Sequence, residues 1–152
     1  LLSKLIKPGM IDYCLELLLL NGEDYYSTPG QMEYMEEYLA EDNNIILAIN
    51  CDGIGLKDSK TAISMVGLPE EKKMRINRLI EEKEDFEIID PWVEGDHMLF
   101  QMNQISTIAL TSKNIFEMID SIIHTETDRI DLIDYNKVKD VIFLLKDVIR
   151  NY

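Results

Sequence analysis

The sequence predicts an α/β domain in which a mostly parallel or mixed sheet is flanked by helices. Apolar runs of strand length alternate along the chain with segments of helical periodicity. Such alternation is typical of sheets that carry helices on both faces. The length of 152 residues, with 46% hydrophobic and 29% charged side chains, suits one globular domain with a buried core. We therefore expect residues 1–152 to form a single domain.

The predicted elements follow one another in a regular order. Residues 11–20 are rich in leucine and stop at Asn21-Gly22, which indicates a strand buried on both faces. A helix follows, with Thr28 as its N-cap, Pro29 at the first helical position and Gln31 completing a capping box. Further strands are predicted at 44–51, 62–66, 86–92 and 105–112, and further helices at 69–84, 96–104, 114–123 and 134–151.

The charge and the cysteines limit the setting in which this chain works. A formal net charge of −14 argues against nucleic acid and anionic membranes as partners, because binding polyphosphates needs a cationic patch. No apolar run approaches the ~20 residues that span a bilayer, and no secretory signal is expected. Cys14 and Cys51 permit one disulfide, but both lie in apolar runs where buried free thiols are common. We expect a cytoplasmic location.

Acidic and imidazole side chains recur where the predicted strands end. In chain order they are Glu23 and Asp24, then Asp52, then Asp96 and His97, and finally His124 beyond a helix. Ligands of open α/β sheets bind at the carboxyl ends of strands, and carboxylates and imidazoles are suitable zinc ligands. Each residue also has an ordinary structural interpretation, as part of a solvated turn or as a helix cap.

Four motifs, taken in order, resemble the co-catalytic zinc aminopeptidase family, which also includes the glutaminyl cyclases. They are "LLLLNGEDYY", "AINCDGIG", "EGDHMLFQMNQISTIAL" and "IIHTETDRIDLIDYNKV". In that family a strand ends in Gly-Glu-Glu or Gly-Glu-Asp, and an Asn-x-Asp strand end, a Ser-Asp-His-like segment and a His-Thr-x-x-Asp motif follow. The resemblance covers roughly residues 11–150 and implies a zinc-exopeptidase-like three-layer sandwich.

The resemblance also implies a role for each motif residue. Glu23 would be the general base, which takes a proton from the zinc-bound water and passes it to the leaving amine. Asp24 and His124 would bind one zinc ion, and Asp52 the second. The residues that would line the substrate side or support the ligands are Asp96, His97 and Asp128. Zinc lowers the pKa of bound water to about 7, and a cation would also offset the repulsion between the neighbouring carboxylates of Glu23 and Asp24.

One motif of the family has no counterpart here. An earlier His-x-Asp, which completes the two zinc sites, does not occur in residues 1–10, and no histidine precedes His97. We therefore expect a domain truncated at its amino-terminal side and lacking the amino-terminal strands. A catalytic zinc normally has three protein ligands, so the chain alone should bind zinc weakly or not at all and show little peptidase activity. An exposed sheet edge should also favour a homo-oligomer.

Three functions remain open at this point. The first is a zinc-dependent aminopeptidase-like hydrolase that releases amino-terminal residues from peptides. The second is a glutaminyl-cyclase-like acyltransferase that uses one zinc ion. The third is a non-catalytic interaction domain that retains the peptidase fold. A strand and a His-x-Asp motif encoded upstream of Leu1 would favour an enzyme, and their absence would favour the non-catalytic domain.

Overall fold

A computed structural model describes residues 6–7, 9–23, 28–39 and 44–152. The elements in chain order are α1 Pro29–Tyr38, β1 Ala48–Cys51, β2 Thr61–Val66, α2 Glu70–Ile80, β3 Phe86–Ile88, α3 His97–Met102, β4 Thr107–Ser112, α4 Ile115–Ser121, a 3₁₀ turn at Ile130–Leu132, and α5 Tyr135–Arg150. The α/β prediction is confirmed. β1 and β3 are shorter than predicted, and Asp24 lies outside the described residues.

The four strands form one mixed sheet in the order β1-β4-β2-β3. β1 is parallel to β4 and β2 to β3, whereas β2 is antiparallel to β4. The register places four residues in one row across the sheet, namely Cys51, Leu110, Ile63 and Ile88. Both β1 and β3 end in this row, at Cys51 and Ile88 respectively. The segment that follows β3 therefore begins at the same height in the sheet as the end of β1, although β1 and β3 run in opposite directions.

The main core lies between the central strands and the last helix. Ile63 of β2 and Leu110 of β4 are fully buried and pack in one cluster with α5. The buried residues of α5 are Val141, Leu144, Leu145, Val148 and Ile149, and burial of each such side chain contributes roughly 1.5–3 kcal/mol. Asp134 begins this helix by accepting a hydrogen bond from the backbone N–H of Asn136. No helix in the described part of the chain is long and apolar enough to cross a membrane.

Residues 11–20 do not form the predicted buried strand. No backbone hydrogen bond joins them to any other described residue, and Leu17 and Leu19 are 79% and 86% exposed. Leu18 and Leu20 are partly buried against a second apolar cluster beside β1. The prediction is wrong because a buried strand needs a neighbour for its backbone and cover on both faces. In the described sheet, β1 is an edge strand, and it provides residues 11–20 with neither a hydrogen-bonded neighbour nor cover on both faces.

The prediction of buried cysteines is also wrong. Cys14 and Cys51 are both free and exposed. Cys14 belongs to the uncovered segment 11–20, and Cys51 is the last, outward residue of the edge strand β1. Cys14 therefore lacks the cover that an apolar sequence context suggested, whereas partial burial of the Cys51 thiol and the carboxylate of Asp52 raise the pKa of Cys51 to about 11.

Candidate active site

Asp52 directly follows β1 on a turn that is fixed to β4. Its backbone N–H donates to the carbonyl oxygen of Leu110 at 3.0 Å. The carbonyl oxygen of Gly53 accepts two hydrogen bonds from Ser112, from the backbone N–H at 3.0 Å and from Oγ at 2.6 Å. The side chain of Asp52 is exposed. These bonds hold an accessible carboxylate at the carboxyl end of β1, where the sequence predicted one.

Glu23 follows a glycine that no other residue can easily replace. Gly22 has a φ of +81°, and a Cβ there would lie 2.4 Å from Cδ of Pro29. The carbonyl oxygen of Gly22 accepts a hydrogen bond from the backbone N–H of Thr28 at 3.2 Å. Gly22 therefore permits a backbone turn that a residue with a side chain could not easily make, and the partly buried Glu23 directly follows it.

Gln31 joins the first turn of α1 to the residue that precedes α3. Its Nε2 donates to Oδ1 of Asp96 at 2.6 Å. The predicted capping box is therefore wrong, since Thr28 makes no side-chain cap for α1. Asp96 likewise makes no side-chain cap for α3. A carboxylate is a stronger acceptor than a neutral group, which favours this long-range bond over a local one.

His97 is fully buried and lies against Trp92. The two rings meet edge to face with their centroids 4.6 Å apart, and Nε2 of His97 is 3.1 Å from the carbonyl oxygen of Trp92. A carbonyl oxygen only accepts, so Nε2 carries the hydrogen. Burial lowers the pKa of His97, while the bond to Trp92 and the carboxylates of Asp52 and Asp96 act in the opposite direction. A neutral, inaccessible imidazole suits a supporting role better than direct contact with substrate.

The chain approaches β1 closely just before His97. Gly95 has a φ of +103°, and a Cβ there would lie 3.2 Å from Nδ1 of His97 and 3.9 Å from Nδ2 of Asn50. Both of those nitrogen atoms are buried and have no partner among the described residues. The sequence did not identify Asn50 or Gly95 as site residues, and it assigned Gln31 only to a capping box. Asn50 was detectable, because it is the first residue of the Asn-x-Asp motif.

His124 lies on a hydrogen-bonded loop after α4. Thr125 and Thr127 join their hydroxyl groups at 2.6 Å, and Oγ1 of Thr127 donates to the carbonyl oxygen of Ser121 at 2.9 Å. The backbone N–H of Asp128 donates to the carbonyl oxygen of Thr125 at 3.1 Å. His124 is exposed and has a φ of +59°, a conformation that is uncommon outside glycine. The His-Thr-x-x-Asp motif is thus one local unit held by its own threonines.

The structure brings only some of the predicted site residues together. Asp52 and Asp96 both act on the imidazole of His97, whereas His124 and Asp128 occupy the separate loop described above. Within the described ranges, no three His, Cys, Asp or Glu side chains are placed to hold a metal ion. The described side chains alone therefore do not fit a zinc ion, and the predicted ligand Asp24 lies outside them.

Comparison with known proteins identifies the fold and the family. No curated protein matches the sequence. The crystal structure of a leucine aminopeptidase precursor from Bacteroides thetaiotaomicron VPI-5482 shares the fold, with a TM-score of 0.61 and 21% identity. The match covers 81% of this chain but 43% of that one, so the chain spans less than half of the aminopeptidase it resembles. The model of peptidase family M28 matches residues 3–149, and this chain therefore belongs to peptidase family M28.

Proposed function

We propose that this chain forms part of a zinc-dependent aminopeptidase, which releases amino-terminal residues from peptides. Membership of family M28 supports a peptidase. The structural observation that carries the proposal is the placement of Asp52 directly after β1, with its backbone N–H bonded to Leu110 of the neighbouring strand β4. These strands are parallel neighbours, so their carboxyl ends lie at the same edge of the sheet, where α/β enzymes bind their ligands.

The proposal gives Glu23 the role of general base. Glu23 directly follows Gly22, whose backbone conformation and contact with Pro29 leave no room for a side chain, and Glu23 is only partly buried. It would accept a proton from the attacking water and return it to the leaving amine. Asp24, Asp52 and His124 would be metal ligands. Asp96, which accepts a hydrogen bond from Gln31, and the neutral His97 would line the substrate side of the site or support its ligands. Asp128 would support the loop that carries His124.

These candidate ligands are too few for a complete site. A catalytic zinc has about three protein ligands, whereas the proposal assigns two to one ion and one to the other. We propose that the remaining ligands come from a segment outside residues 1–152. The chain spans 43% of the aminopeptidase whose fold it shares, which leaves room for such a segment. On its own, this chain should bind zinc weakly and turn over little peptide.

Calorimetric titration of the chain with zinc tests the incomplete site. We expect affinity weaker than micromolar and little hydrolysis of an aminoacyl p-nitroanilide. Micromolar or tighter binding at high stoichiometry would contradict the incomplete site.

The base is tested in the longer protein, provided that the upstream reading frame encodes a His-x-Asp motif. There Glu23→Gln should abolish turnover while zinc stays bound, and the same change at the exposed Glu36 of α1 should leave turnover unchanged. Retained turnover in Glu23→Gln would remove Glu23 from the role of base. Cyclisation of amino-terminal glutamine instead of hydrolysis would replace the aminopeptidase with a glutaminyl cyclase. An upstream frame without the motif would favour a non-catalytic domain.

A further inference from the structure

Two buried nitrogen atoms converge on the space beside Gly95. A Cβ added to Gly95 would lie 3.2 Å from Nδ1 of His97 and 3.9 Å from Nδ2 of Asn50. Both atoms are buried, and neither has a hydrogen-bond partner among the residues that the structure describes. Buried polar atoms of folded proteins almost always have a partner, either in the protein or in an ordered water molecule. Two such atoms around one space therefore indicate a binding site.

The two atoms differ in the hydrogen bond that each can make. Nε2 of His97 lies 3.1 Å from the carbonyl oxygen of Trp92 and carries the ring hydrogen, so Nδ1 is an acceptor. Nδ2 of Asn50 belongs to an amide and is a donor. The amide hydrogens would repel a metal ion, and the lone pair of Nδ1 would repel an anion. The space therefore suits a neutral molecule that donates one hydrogen bond and accepts another.

The size of the space and its burial select water among such molecules. Apart from the His97 ring and the chain neighbours of Gly95, no described atom lies nearer to the added Cβ than Nδ2 of Asn50. A methyl group there would be tight against Nδ1, whereas a water oxygen makes a normal hydrogen bond to nitrogen at about 2.7–3.2 Å. Because both nitrogen atoms are shielded from solvent, a larger molecule could not reach them. Buried water typically bonds to about three polar groups that would otherwise be unsatisfied.

We propose that one buried water molecule binds beside Gly95, where it donates a hydrogen bond to Nδ1 of His97 and accepts one from Nδ2 of Asn50. Asn50 belongs to β1 and Gly95 to the segment before α3, so the water joins these two segments. Asn50 lies two residues before Asp52, and Gly95 directly precedes Asp96. The water would thus help to fix the spacing of these two carboxylates. That consequence rests on the proposed function, whereas the water site itself does not.

Nuclear Overhauser effects from water detect the bound molecule. In isotope-labelled protein, the side-chain amide of Asn50 should show the effect of a long-lived water. Asn103 is the matched control, because its part-buried side-chain amide donates to the carbonyl oxygen of Leu99 at 2.8 Å. It should show no long-lived water. Absence of the effect at Asn50 would overturn the proposal.

A methyl group at position 95 should expel the water. Gly95→Ala fills part of the space, so the effect at the Asn50 amide should disappear. Alanine is also strained there, since Gly95 has a φ of +103°. The control is therefore Gly67→Ala, at a φ of +69°, where the added Cβ meets nothing among the described residues closer than 3.5 Å. This variant should keep the effect. Persistence of the effect in Gly95→Ala, or its loss in both variants, would contradict the site.

Unfolding in urea tests whether Asn50 and His97 share one partner. Asn50→Leu and His97→Phe each leave the other buried group incompletely bonded, so each should lower the folding equilibrium constant by roughly tenfold or more. The double variant should lose less than the product of the two single losses, because both groups are removed together. The control pairs His97→Phe with Ser112→Ala, which lies on the other face of the sheet from Asn50, and its losses should multiply.

The two measurements together separate the possible outcomes. Coupling between Asn50 and His97 together with a long-lived water at the Asn50 amide supports the proposal. Coupling without such a water would replace the bridge with a direct hydrogen bond between the two side chains. Losses that simply multiply would exclude a shared partner. Amide spectra of every variant check that the fold is retained.

Discussion

Gln31 and Asp96 are 65 residues apart in the chain and share a hydrogen bond of 2.6 Å between Nε2 and Oδ1. The bond joins the first turn of α1, which follows the Glu23 loop, to the residue that precedes the buried His97. Two motifs that are separate in the sequence are therefore parts of one structural unit.

Loss of the Gln31 side-chain amide should destabilise the fold. Gln31→Leu removes the donor and leaves the partly buried carboxylate of Asp96 without that partner. A hydrogen bond to a charged group contributes about 1.5–3 kcal/mol, and we expect the free energy of unfolding in urea to fall by an amount in this range. Glu33→Leu, at an exposed position of the same helix, is the control. Equal losses in the two variants would mean that the bond contributes nothing specific.

Alanine substitutions at Gly22 and Gly9 distinguish the cost of a steric clash from the cost of backbone strain. Both have a φ of +81°, but a Cβ at Gly22 would lie 2.4 Å from Pro29, whereas a Cβ at Gly9 would have nothing within 4 Å. Gly9→Ala should cost about 1 kcal/mol, as expected for alanine in the left-handed region. Gly22→Ala should cost more, because Pro29 must also move. Denaturant midpoints of the two variants measure the difference, and identical midpoints would show that the contact with Pro29 is relieved without cost.

Ser112 should be necessary for the turn that carries Asp52. Its buried hydroxyl donates to the carbonyl oxygen of Gly53 at 2.6 Å and accepts from the backbone N–H of Leu56 at 3.3 Å. Ser112→Ala leaves these buried groups unsatisfied, which costs about 1–3 kcal/mol. Ser106→Ala should cost less, since that hydroxyl donates to Gly67 at a more exposed position. Thermal unfolding of both variants tests the order, and a reversed order would contradict the role of Ser112.

His97 should make the fold less stable in mild acid. Burial lowers its pKa below the ordinary value of 6.5, so below pH 6.5 the unfolded chain binds a proton that the folded chain does not yet accept. The free energy of unfolding therefore falls as the pH drops from about 7 towards the pKa of folded His97. His97→Phe should have a shallower dependence on pH in this window. Urea titrations between pH 7 and pH 5.5 measure it, and an unchanged slope in the variant would assign the dependence to other groups.

Much of the fold could be predicted from local pattern. β2, β4 and α5 were each predicted close to their observed bounds, because the periodicity of apolar residues reports which faces of an element are buried. Asp52 could likewise be assigned to the turn at the end of β1 from its immediate neighbours. Strand direction could not be predicted in this way. The antiparallel pairing of β2 with β4 leaves no trace in the apolar pattern of either strand.

The sequence by itself determined the order of the elements, the apolar faces and the four motifs that place this chain in family M28. The tertiary structure decided which groups meet. It gave Gln31 the distant carboxylate of Asp96 instead of a helix cap, and it buried His97 against Trp92. Among the residues that the structure describes, it paired 11–20 with no strand. The physical reason is that a local pattern specifies what a segment can bury. Whether the segment is buried depends on what the rest of the fold places opposite it.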